Sequence, residues 1–168
     1  MKVLITGGVR SGKSSFAEKL AISFGEKVVY VATATAGDEE MRERIAKHQS
    51  RRPPNWVTVE EPVNLRDVLL TARGDAVLVD CLTLWVTNLL LKEEDVVGKA
   101  YEVVEIFPRI TVPLIFVTNE VGSGIVPDNE LARKFRDVAG LVNQVFAKYC
   151  DEVYLTVAGI PVKIKGVS

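Results

Sequence analysis

The sequence feature that most constrains the fold is a glycine-rich segment close to the N-terminus. Residues 7–14 read Gly-Gly-Val-Arg-Ser-Gly-Lys-Ser and match the pattern G-x-x-x-x-G-K-[ST] at every fixed position. A short apolar strand, Val3–Ile5, is predicted before the segment, and an amphipathic helix, Lys13–Phe24, is predicted after it. Glycines let backbone N–H groups turn toward an anion, and the helix N-terminus adds partial positive charge. The segment therefore predicts a phosphate-binding loop, or P-loop.

The rest of the chain alternates short apolar runs with longer helical patterns, which is typical of βαβ units and a mostly parallel sheet. Further strands are predicted at Val28–Ala32, Trp56–Val59, Ala76–Asp80, Leu114–Thr118 and Glu152–Val157. Ala158-Gly159 predicts a tight turn into a last strand, Ile160–Ile164, which makes a terminal antiparallel hairpin. Further helices are predicted at Asp38–Ser50, Leu65–Thr71, Glu94–Phe107 and Asn129–Tyr149. The run Leu82–Leu91 fits a strand or a helix. The predicted fold class is α/β, in three layers.

Composition excludes several classes of protein. Apolar residues make up 48% and charged residues 26% of the 168 residues, and the net charge is −1, so neither a nucleic acid partner nor a membrane surface is indicated. Cys81 and Cys150 lie outside any CxxC pair, and we expect both to be reduced and buried. The N-terminal apolar stretch is too short for a signal peptide, and Ala76–Leu91 is too short to span a bilayer. A cytoplasmic protein of one domain, residues 1–168, is predicted.

Three side chains are candidates for phosphate and metal chemistry. Lys13 is expected to reach the β- and γ-phosphates of a nucleoside triphosphate, and the Ser14 hydroxyl to ligate Mg²⁺. Asp80 follows an apolar run at a predicted strand end, where a P-loop protein holds the magnesium shell. The alternative for Asp80 is a cap of the following segment.

The class of P-loop protein is narrowed by the residues after the strand Leu114–Thr118. A regulatory GTPase would carry N-K-x-D there, whereas this chain reads Asn119-Glu120-Val121-Gly122. A small-molecule kinase stays open, with an arginine-bearing lid drawn from Arg42, Arg44, Arg51 and Arg52. His48, the single histidine, shares a predicted helix face with Met41 and Ile45. It is either a histidine at the edge of the core or a nucleophile toward phosphorus.

Several blocks, taken in order, resemble the family of bifunctional adenosylcobinamide kinases / adenosylcobinamide-phosphate guanylyltransferases of cobalamin synthesis. The resemblance covers essentially the whole chain. It rests on Thr6–Ser14, Tyr30–Thr33, Asp38–Met41 with His48, Asp80–Thr83 and, most distinctively, Val117–Pro127. It implies a RecA-like P-loop fold and a homotrimer. The chain departs from the family at Lys92–Pro108, which is shorter, and at Arg51-Arg52, where Gly-Arg is more usual.

The resemblance implies two reactions at one nucleotide site. ATP or GTP phosphorylates the aminopropanol hydroxyl of adenosylcobinamide, and GTP then transfers GMP to that phosphate through a GMP–histidine intermediate. His48 is the implied nucleophile, and Glu60 could accept hydrogen bonds from guanine. The implied nucleotide contacts are Gly7, Gly8, Val9, Arg10, Ser11, Gly12, Lys13, Ser14, Ala32, Thr33, Ala34, Gln49, Ser50, Arg51, Arg52, Glu60 and Asp80, with Ser14 and Asp80 also facing Mg²⁺.

Two other functions remain open from the sequence. One is a kinase-only P-loop enzyme for a small alcohol, in which His48 is structural. The other is a regulatory module that binds GTP and transfers nothing. The Asn119–Pro127 block is likewise either part of a ligand site at the carboxyl edge of the sheet or a structural turn.

Overall fold

The computed structural model of the protein describes residues 1–35, 39–50 and 52–166; within residues 39–50 it describes the side chains at 39, 42, 43, 45, 46 and 50. The strands are β1 (Lys2–Gly7), β2 (Val28–Ala32), β3 (Val57–Glu60), β4 (Ala76–Asp80), β5 (Leu114–Val117), β6 (Glu152–Val157) and β7 (Ile160–Lys165). The helices are α1 (Lys13–Phe24), α2 (Glu39–Ser50), α3 (Leu65–Thr71), α4 (Leu82–Leu91), α5 (Val96–Val104) and α6 (Glu130–Tyr149), with a 3₁₀ turn at Phe107–Arg109.

All of these strands form one sheet in the order β3-β2-β4-β5-β1-β6-β7. Neighbouring strands are parallel except for the terminal β6–β7 hairpin, which is antiparallel. One strand, β5, lies between β1 and β4, and the carboxyl ends of these strands share an edge of the sheet. The predicted α/β fold, with its mostly parallel sheet and C-terminal antiparallel hairpin, is confirmed.

The sheet is covered on both faces, because alternate residues of each strand point to opposite sides. On one side Val3 and Ile5 of β1 pack with Ala17 and Ala21 of α1. On the other side Leu4 packs in a larger core that draws its members from α3, α4, α5 and α6. The middle strands are buried along nearly their whole length, which explains why their sequences show apolar runs rather than alternation.

The ambiguous run Leu82–Leu91 is a helix, α4. Trp85 and Leu89, four residues apart, are both fully buried on the face of the helix that covers the sheet. The indole N–H of Trp85 donates to the Val63 carbonyl at 2.8 Å, so the polar atom of this buried aromatic residue is satisfied. Burial of a helical stripe, rather than of alternate residues, settles the element type.

Capping side chains and a proline set helix ends that the apolar pattern placed differently. The predicted helix Glu94–Phe107 begins later, at Val96, because the Asp95 carboxylate caps it by accepting from the Gly98 N–H at 3.0 Å. The same helix ends at Val104, four residues before Pro108, whose ring would clash with a carbonyl there. Asn129 is likewise the cap of α6 and not its first residue, since its Oδ1 accepts from the Ala132 N–H at 2.7 Å.

Smaller differences occur at the third strand and at the second helix. Trp56 lies in a turn, its N–H bonded to the Pro53 carbonyl at 3.1 Å, so β3 runs from Val57 to Glu60. The helix is described from Glu39, and the predicted first residue, Asp38, lies outside the described residues.

Both cysteines are free; Cys150 is buried, whereas Cys81 is only half-buried because it borders a cleft at the carboxyl edge of the sheet. In the described part of the chain no helix is long and apolar enough to cross a membrane.

Candidate nucleotide-binding site

The P-loop joins β1 to α1 through backbone conformations that favour glycine. Gly7 has a φ of 153°, and Gly12, the N-cap of α1, has a φ of 95°. A Cβ added at Gly7 would lie 2.5 Å from the carbonyl oxygen of Thr156, so only glycine fits without a shift. Because α1 begins directly after Gly12, its first backbone N–H groups have no carbonyl partner within the helix. Together with the helix dipole they make the loop an anion-binding site.

Neighbouring segments on both sides of β1 hold the P-loop in shape. In the β6–β7 turn, the Gly159 N–H donates to the Ser11 carbonyl at 2.9 Å. After β5, the Glu120 N–H donates to the Gly7 carbonyl at 3.0 Å. A buried hydrogen bond of 2.7 Å also joins the hydroxyls of Ser11 and Thr156. The loop is therefore braced by tertiary contacts before any ligand binds.

Lys13, the first residue of α1, places a cation inside the loop. Its side chain is buried, and Nζ donates to the Gly8 carbonyl at 2.5 Å. Burial lowers the pKa of Lys13 from its ordinary value, while Cys81 and Asp80 act in the opposite direction. Ser14 follows Lys13 and lines the same cleft. A phosphate in the loop would therefore meet both the ammonium and a hydroxyl.

Asp80 ends β4 and lines the same cleft. In the sheet register Asp80 is paired with Ala32 of β2 and with Val117 of β5. The Tyr30 hydroxyl donates to Oδ2 of Asp80 at 2.7 Å. This hydrogen bond holds the carboxylate in one direction at the carboxyl edge of the sheet, where ligand sites of α/β proteins lie.

Tyr30 also carries Arg52 on its ring. The guanidinium carbon of Arg52 lies 3.3 Å from the centroid of the Tyr30 ring, and Nη1 donates to the Thr58 hydroxyl at 3.0 Å. Trp56 packs beside the same ring, with centroids 6.3 Å apart. Burial raises the pKa of Tyr30 far above its ordinary value, and Asp80 adds to the rise, so the phenol stays a neutral donor. One aromatic residue thus positions both a carboxylate and a guanidinium.

From the sequence, Tyr30 is predicted to lie in a strand and has no predicted role in the site. The sequence feature that could have indicated a role for Tyr30 is its position in the run Val-Val-Tyr-Val-Ala, where it is the one residue with a polar side-chain atom. It precedes Ala32 by two residues and so lies on the same face of β2. A hydroxyl on that face, close to the carboxyl end of the strand, is a candidate for the site.

The three residues of the segment Ala32–Ala34 have different surroundings. Ala32 and Ala34 line the cleft, whereas Thr33 does not line it and is fully buried. The Thr33 hydroxyl donates to the Cys81 carbonyl at 2.7 Å and accepts from the Cys81 N–H at 2.9 Å. Thr33 therefore fixes the turn that follows Asp80, with Asn88 Nδ2 donating to its carbonyl at 2.8 Å.

The described residues enclose a cleft of about 630 Å³ at this edge. That volume suits a small-molecule ligand. Of the predicted contacts, the cleft is lined by Val9, Arg10, Ser11, Gly12, Lys13, Ser14, Ala32, Ala34, Arg52 and Asp80. Gly7 lies buried beneath the loop, and Gly8 is exposed. The cleft is also lined by residues that sequence analysis gave no part in nucleotide binding, namely Ser15, Tyr30, Ile45, Cys81, Leu84, Val117 and Asn119.

Helix α2 borders the cleft through Ile45. The backbone of His48 belongs to the same helix, three residues or about one turn further on. The side chains of His48 and Gln49 lie outside the described residues, as does the whole of Arg51. Position 48 is therefore placed by its helix, one turn from a residue of the cleft wall.

The remaining predicted contacts lie near the same edge but are exposed. Glu60 ends β3 and is paired in register with Ala32 of β2. Ser50 is the last residue of α2. The structure therefore brings the P-loop, Asp80 and Arg52 together around one cleft, with Glu60 and Ser50 outside it.

The chain is similar to known proteins over nearly its whole length. A family model described as "Cobinamide kinase / cobinamide phosphate guanyltransferase" matches residues 3–164. The "Bifunctional adenosylcobalamin biosynthesis protein CobP" of Pseudomonas aeruginosa is 47% identical over 170 residues, which cover 99% of this chain and 98% of that protein. The "Bifunctional adenosylcobalamin biosynthesis protein CobU" of Salmonella typhimurium is 45% identical over 183 residues, covering 98% of this chain and 100% of that protein. Among solved structures, the RadB recombinase aligns with 92% of this chain and 73% of its own, at 15% identity and a TM-score of 0.48.

Proposed function

The chain belongs to the cobinamide kinase / cobinamide phosphate guanyltransferase family, and from that premise we propose that its one described nucleotide cleft serves both reactions, with His48 as the covalent nucleophile. The protein is a bifunctional enzyme of cobalamin biosynthesis. It phosphorylates a cobinamide and then transfers a guanylyl group to the product. The whole chain, residues 1–168, acts as one nucleotide-binding domain.

One observation carries the proposal that a single cleft is used. Lys13 and Ser14 of the P-loop, Asp80 of β4 and Ile45 of α2 all border the same space. A triphosphate in the P-loop would present its phosphates to these side chains, and position 48 follows Ile45 by about one helical turn. Both γ- and α-phosphorus would therefore be within reach of one set of groups.

In the kinase step, the hydroxyl oxygen of adenosylcobinamide attacks the γ-phosphorus of ATP or GTP. A new P–O bond forms, the bond to the β-phosphate oxygen breaks, and the nucleoside diphosphate leaves. The hydroxyl proton passes to solvent or to a carboxylate. Lys13 and the N–H groups of the P-loop neutralise charge on the phosphate oxygens, which is the protein's main contribution to phosphoryl transfer.

In the guanylyl step, an imidazole nitrogen of His48 attacks the α-phosphorus of GTP and pyrophosphate leaves. The phosphate oxygen of adenosylcobinamide phosphate then attacks the same phosphorus and displaces the histidine. The product is adenosylcobinamide-GDP, and the free imidazole is restored. A covalent intermediate divides one difficult displacement into two easier ones.

We propose that Ser14 and Asp80 hold Mg²⁺ beside the phosphates. The residues fit this ion, because a hydroxyl and a carboxylate are hard oxygen donors and both face the cleft. In the described part of the chain no three His, Cys, Asp or Glu side chains cluster into a metal site. That suits an ion that takes few protein ligands and is completed by phosphates and water. When bound, Mg²⁺ would neutralise charge on the phosphate oxygens.

The remaining nucleotide contacts divide by position. Arg52, stacked on Tyr30 at the cleft wall, would meet a phosphate or the ribose. Glu60, at the exposed end of β3, would accept hydrogen bonds from guanine. Gln49, Ser50 and Arg51 continue the chain from His48 and are proposed to contact the nucleotide once it is bound.

We also propose that the enzyme is a homotrimer that works in the cytoplasm. The edge strand β7 supports self-association, because Ile160, Val162 and Ile164 are all exposed along one side of it. Two free thiols suit a reducing compartment. Sedimentation of the purified enzyme would test the trimer, and a monomer with full activity would contradict it.

The decisive experiment is covalent capture. The protein is incubated with Mg²⁺ and GTP labelled at the α-phosphate, and in parallel at the γ-phosphate, then denatured and counted for protein-bound label. We expect α-label on the wild type, labile in acid and stable in base as a phosphoramidate is. His48→Ala, checked for native fold by circular dichroism and for GTP binding, should carry none.

Each outcome decides between functions. Loss of α-label in His48→Ala with kinase activity retained supports His48 as the nucleophile of the guanylyl step alone. A wild type that phosphorylates the corrinoid and never takes up α-label is a kinase with a structural histidine. GTP binding without any product from adenosylcobinamide would indicate a regulatory module.

A further inference from the structure

The cleft leaves the position of the second substrate open. The family's acceptor is a cobinamide, a corrin macrocycle with apolar ring faces and amide groups around its edge. The cleft measures about 630 Å³ and takes the nucleotide, so the bulky macrocycle must lie outside it while its reacting oxygen enters. The position inferred for the macrocycle rests on the proposed function, because that function places both reactions at the P-loop.

The loop 119–127 borders the P-loop at this opening. It follows β5, which lies beside β1 in the sheet. The Glu120 N–H donates to the Gly7 carbonyl at 3.0 Å, and Asn119 itself lines the cleft. Asn119 is fixed in turn, since its N–H donates to the Thr83 hydroxyl at 2.8 Å. The base of the loop is therefore part of the cleft wall, and the rest of the loop extends from it.

The polar groups of this loop are used to hold its own shape. Oε1 of Glu120 accepts from the N–H groups of Gly122 and Ser123, at 2.6 and 3.2 Å. Arg136 of α6 donates to the Gly122 carbonyl at 2.6 Å, and Arg133 donates to the Pro127 carbonyl at 3.1 Å. A loop organised in this way needs little ordering when it binds a ligand.

The same loop presents apolar side chains to water. Ile125 is 94% exposed and Val126 is 59% exposed. In the P-loop, Val9 is 83% exposed and also lines the cleft. A single exposed aliphatic residue needs no explanation, but exposed aliphatic residues on two loops that are hydrogen-bonded to each other at a ligand cleft suit a ligand with an apolar surface.

We propose that Val9, Ile125 and Val126, here called the apolar rim, are the surface on which the corrin ring of the substrate lies. The aminopropanol arm enters the cleft beside Asn119, and the apolar rim covers one face of the macrocycle. The amide groups at the edge of the ring stay in water or meet the polar loop backbone. Ile125 and Val126 therefore determine affinity for the corrinoid and not for the nucleotide, whereas Val9 also lines the nucleotide cleft.

The test uses Ile125→Asp and Val126→Asp in the full-length enzyme, with Leu91→Asp as the matched control. Leu91 is 68% exposed but ends α4, which starts at the carboxyl edge of the sheet and so ends at the opposite edge. We expect KM for adenosylcobinamide to rise about tenfold or more in the rim variants, as the loss of one buried aliphatic contact predicts. KM for GTP and α-label captured from GTP alone should change less than about twofold by the same reasoning.

A second measurement separates this inference from the proposed function. Equilibrium dialysis of adenosylcobinamide, followed by its visible absorbance, reports corrinoid binding even if no turnover or label occurs. Weaker binding by the rim variants and unchanged binding by Leu91→Asp would support the inference. Unchanged corrinoid binding would overturn it, and so would a change in sedimentation of the rim variants, which would assign the rim to contacts between copies of the chain.

Discussion

The two walls of the nucleotide cleft differ, because one consists mainly of backbone groups and the other of side chains. The P-loop wall, residues 7–14, is mainly backbone, shaped by glycines and braced by main-chain hydrogen bonds from Glu120 and Gly159. The side-chain wall consists of Tyr30, Arg52 and Asp80, which come from separate segments and are joined by one hydrogen bond and one stacked pair. From this difference we expect one wall to recognise phosphate as such and the other to orient the bound nucleotide.

This division predicts different sensitivity to mutation. Backbone N–H groups persist through most substitutions. The P-loop wall should therefore lose phosphate binding only where a substitution changes its backbone conformation or removes Lys13, its buried cationic side chain. Each residue of the side-chain wall makes a separate contact. Its substitution should therefore have a partial effect on one measurable property, such as metal dependence or nucleotide affinity. Single substitutions in each wall can therefore separate the two roles.

Lys13→Met should give the largest loss. It removes a charged donor that would face the phosphates in both reactions, and loss of one such group typically lowers kcat about 10²–10³-fold. We expect the kinase rate and the transfer of GMP to supplied adenosylcobinamide phosphate to fall together. Lys19→Met, on the exposed side of α1, is the control. If only one of the two rates fell, the reactions would use separate nucleotide sites.

Gly7→Ala should destabilise the folded protein, whereas Gly8→Ala should not. The added Cβ at Gly7 would lie 2.5 Å from the Thr156 carbonyl oxygen and 2.7 Å from Ser11 Oγ, at a φ of 153°, while nothing lies within 4 Å of a Cβ at Gly8. We expect a loss of about 1–3 kcal/mol at Gly7 and a change within about 0.5 kcal/mol at Gly8. Urea unfolding without nucleotide measures both. Equal stabilities would show that the loop is not braced.

The contrast between the walls also explains what could be predicted from the sequence. The P-loop is contiguous, so its spacing, the strand before it and the helix after it were all visible in one stretch of the chain. Tyr30 and Asp80 are fifty residues apart, and they meet because β2 is paired with β4. Strand order is not contained in hydrophobic periodicity, so that contact could not be predicted.

Element boundaries follow the same logic. Strands buried on both faces were located within a residue or two, since apolar runs mark them directly. The starts of α5 and α6 were misplaced because Asp95 and Asn129 each act through one specific side-chain hydrogen bond. Likewise the resemblance to a family indicates Ala32–Ala34 as a unit, whereas its hydrogen bonds to Cys81 place Thr33 at the turn after Asp80, and only the two alanines line the cleft.

Tyr30→Phe should weaken magnesium use without unfolding the protein. The ring that carries Arg52 remains, and the hydrogen bond to Asp80 is lost. Loss of an outer-shell partner typically costs about tenfold or more in metal affinity, so we expect the Mg²⁺ concentration for half-maximal rate to rise about tenfold. Electron paramagnetic resonance of Mn²⁺ with bound GTP provides a reading that does not depend on turnover.

The matched control for Tyr30→Phe is Tyr154→Phe. Tyr154 also donates to a carboxylate, Glu152, at 2.8 Å, but neither residue lines the cleft. It should leave the metal dependence unchanged. If the two variants behaved alike, or if Tyr30→Phe changed KM for GTP and not the metal dependence, the orienting role of the phenol would be wrong.

The smallest effect is expected at Cys81, the thiol beside the side-chain wall. Burial raises the pKa of Cys81 to about 11, so at neutral pH it stays protonated and is a poor nucleophile. In a Cys150→Ser background, alkylation of Cys81 should rise about tenfold per pH unit from 7 to 9 without reaching a plateau, because only the thiolate reacts. A plateau near pH 8 would contradict the raised pKa. Cys81→Ser should also keep α-label from GTP. Label that survives Cys81→Ser and disappears in His48→Ala would assign the covalent step to His48 of α2.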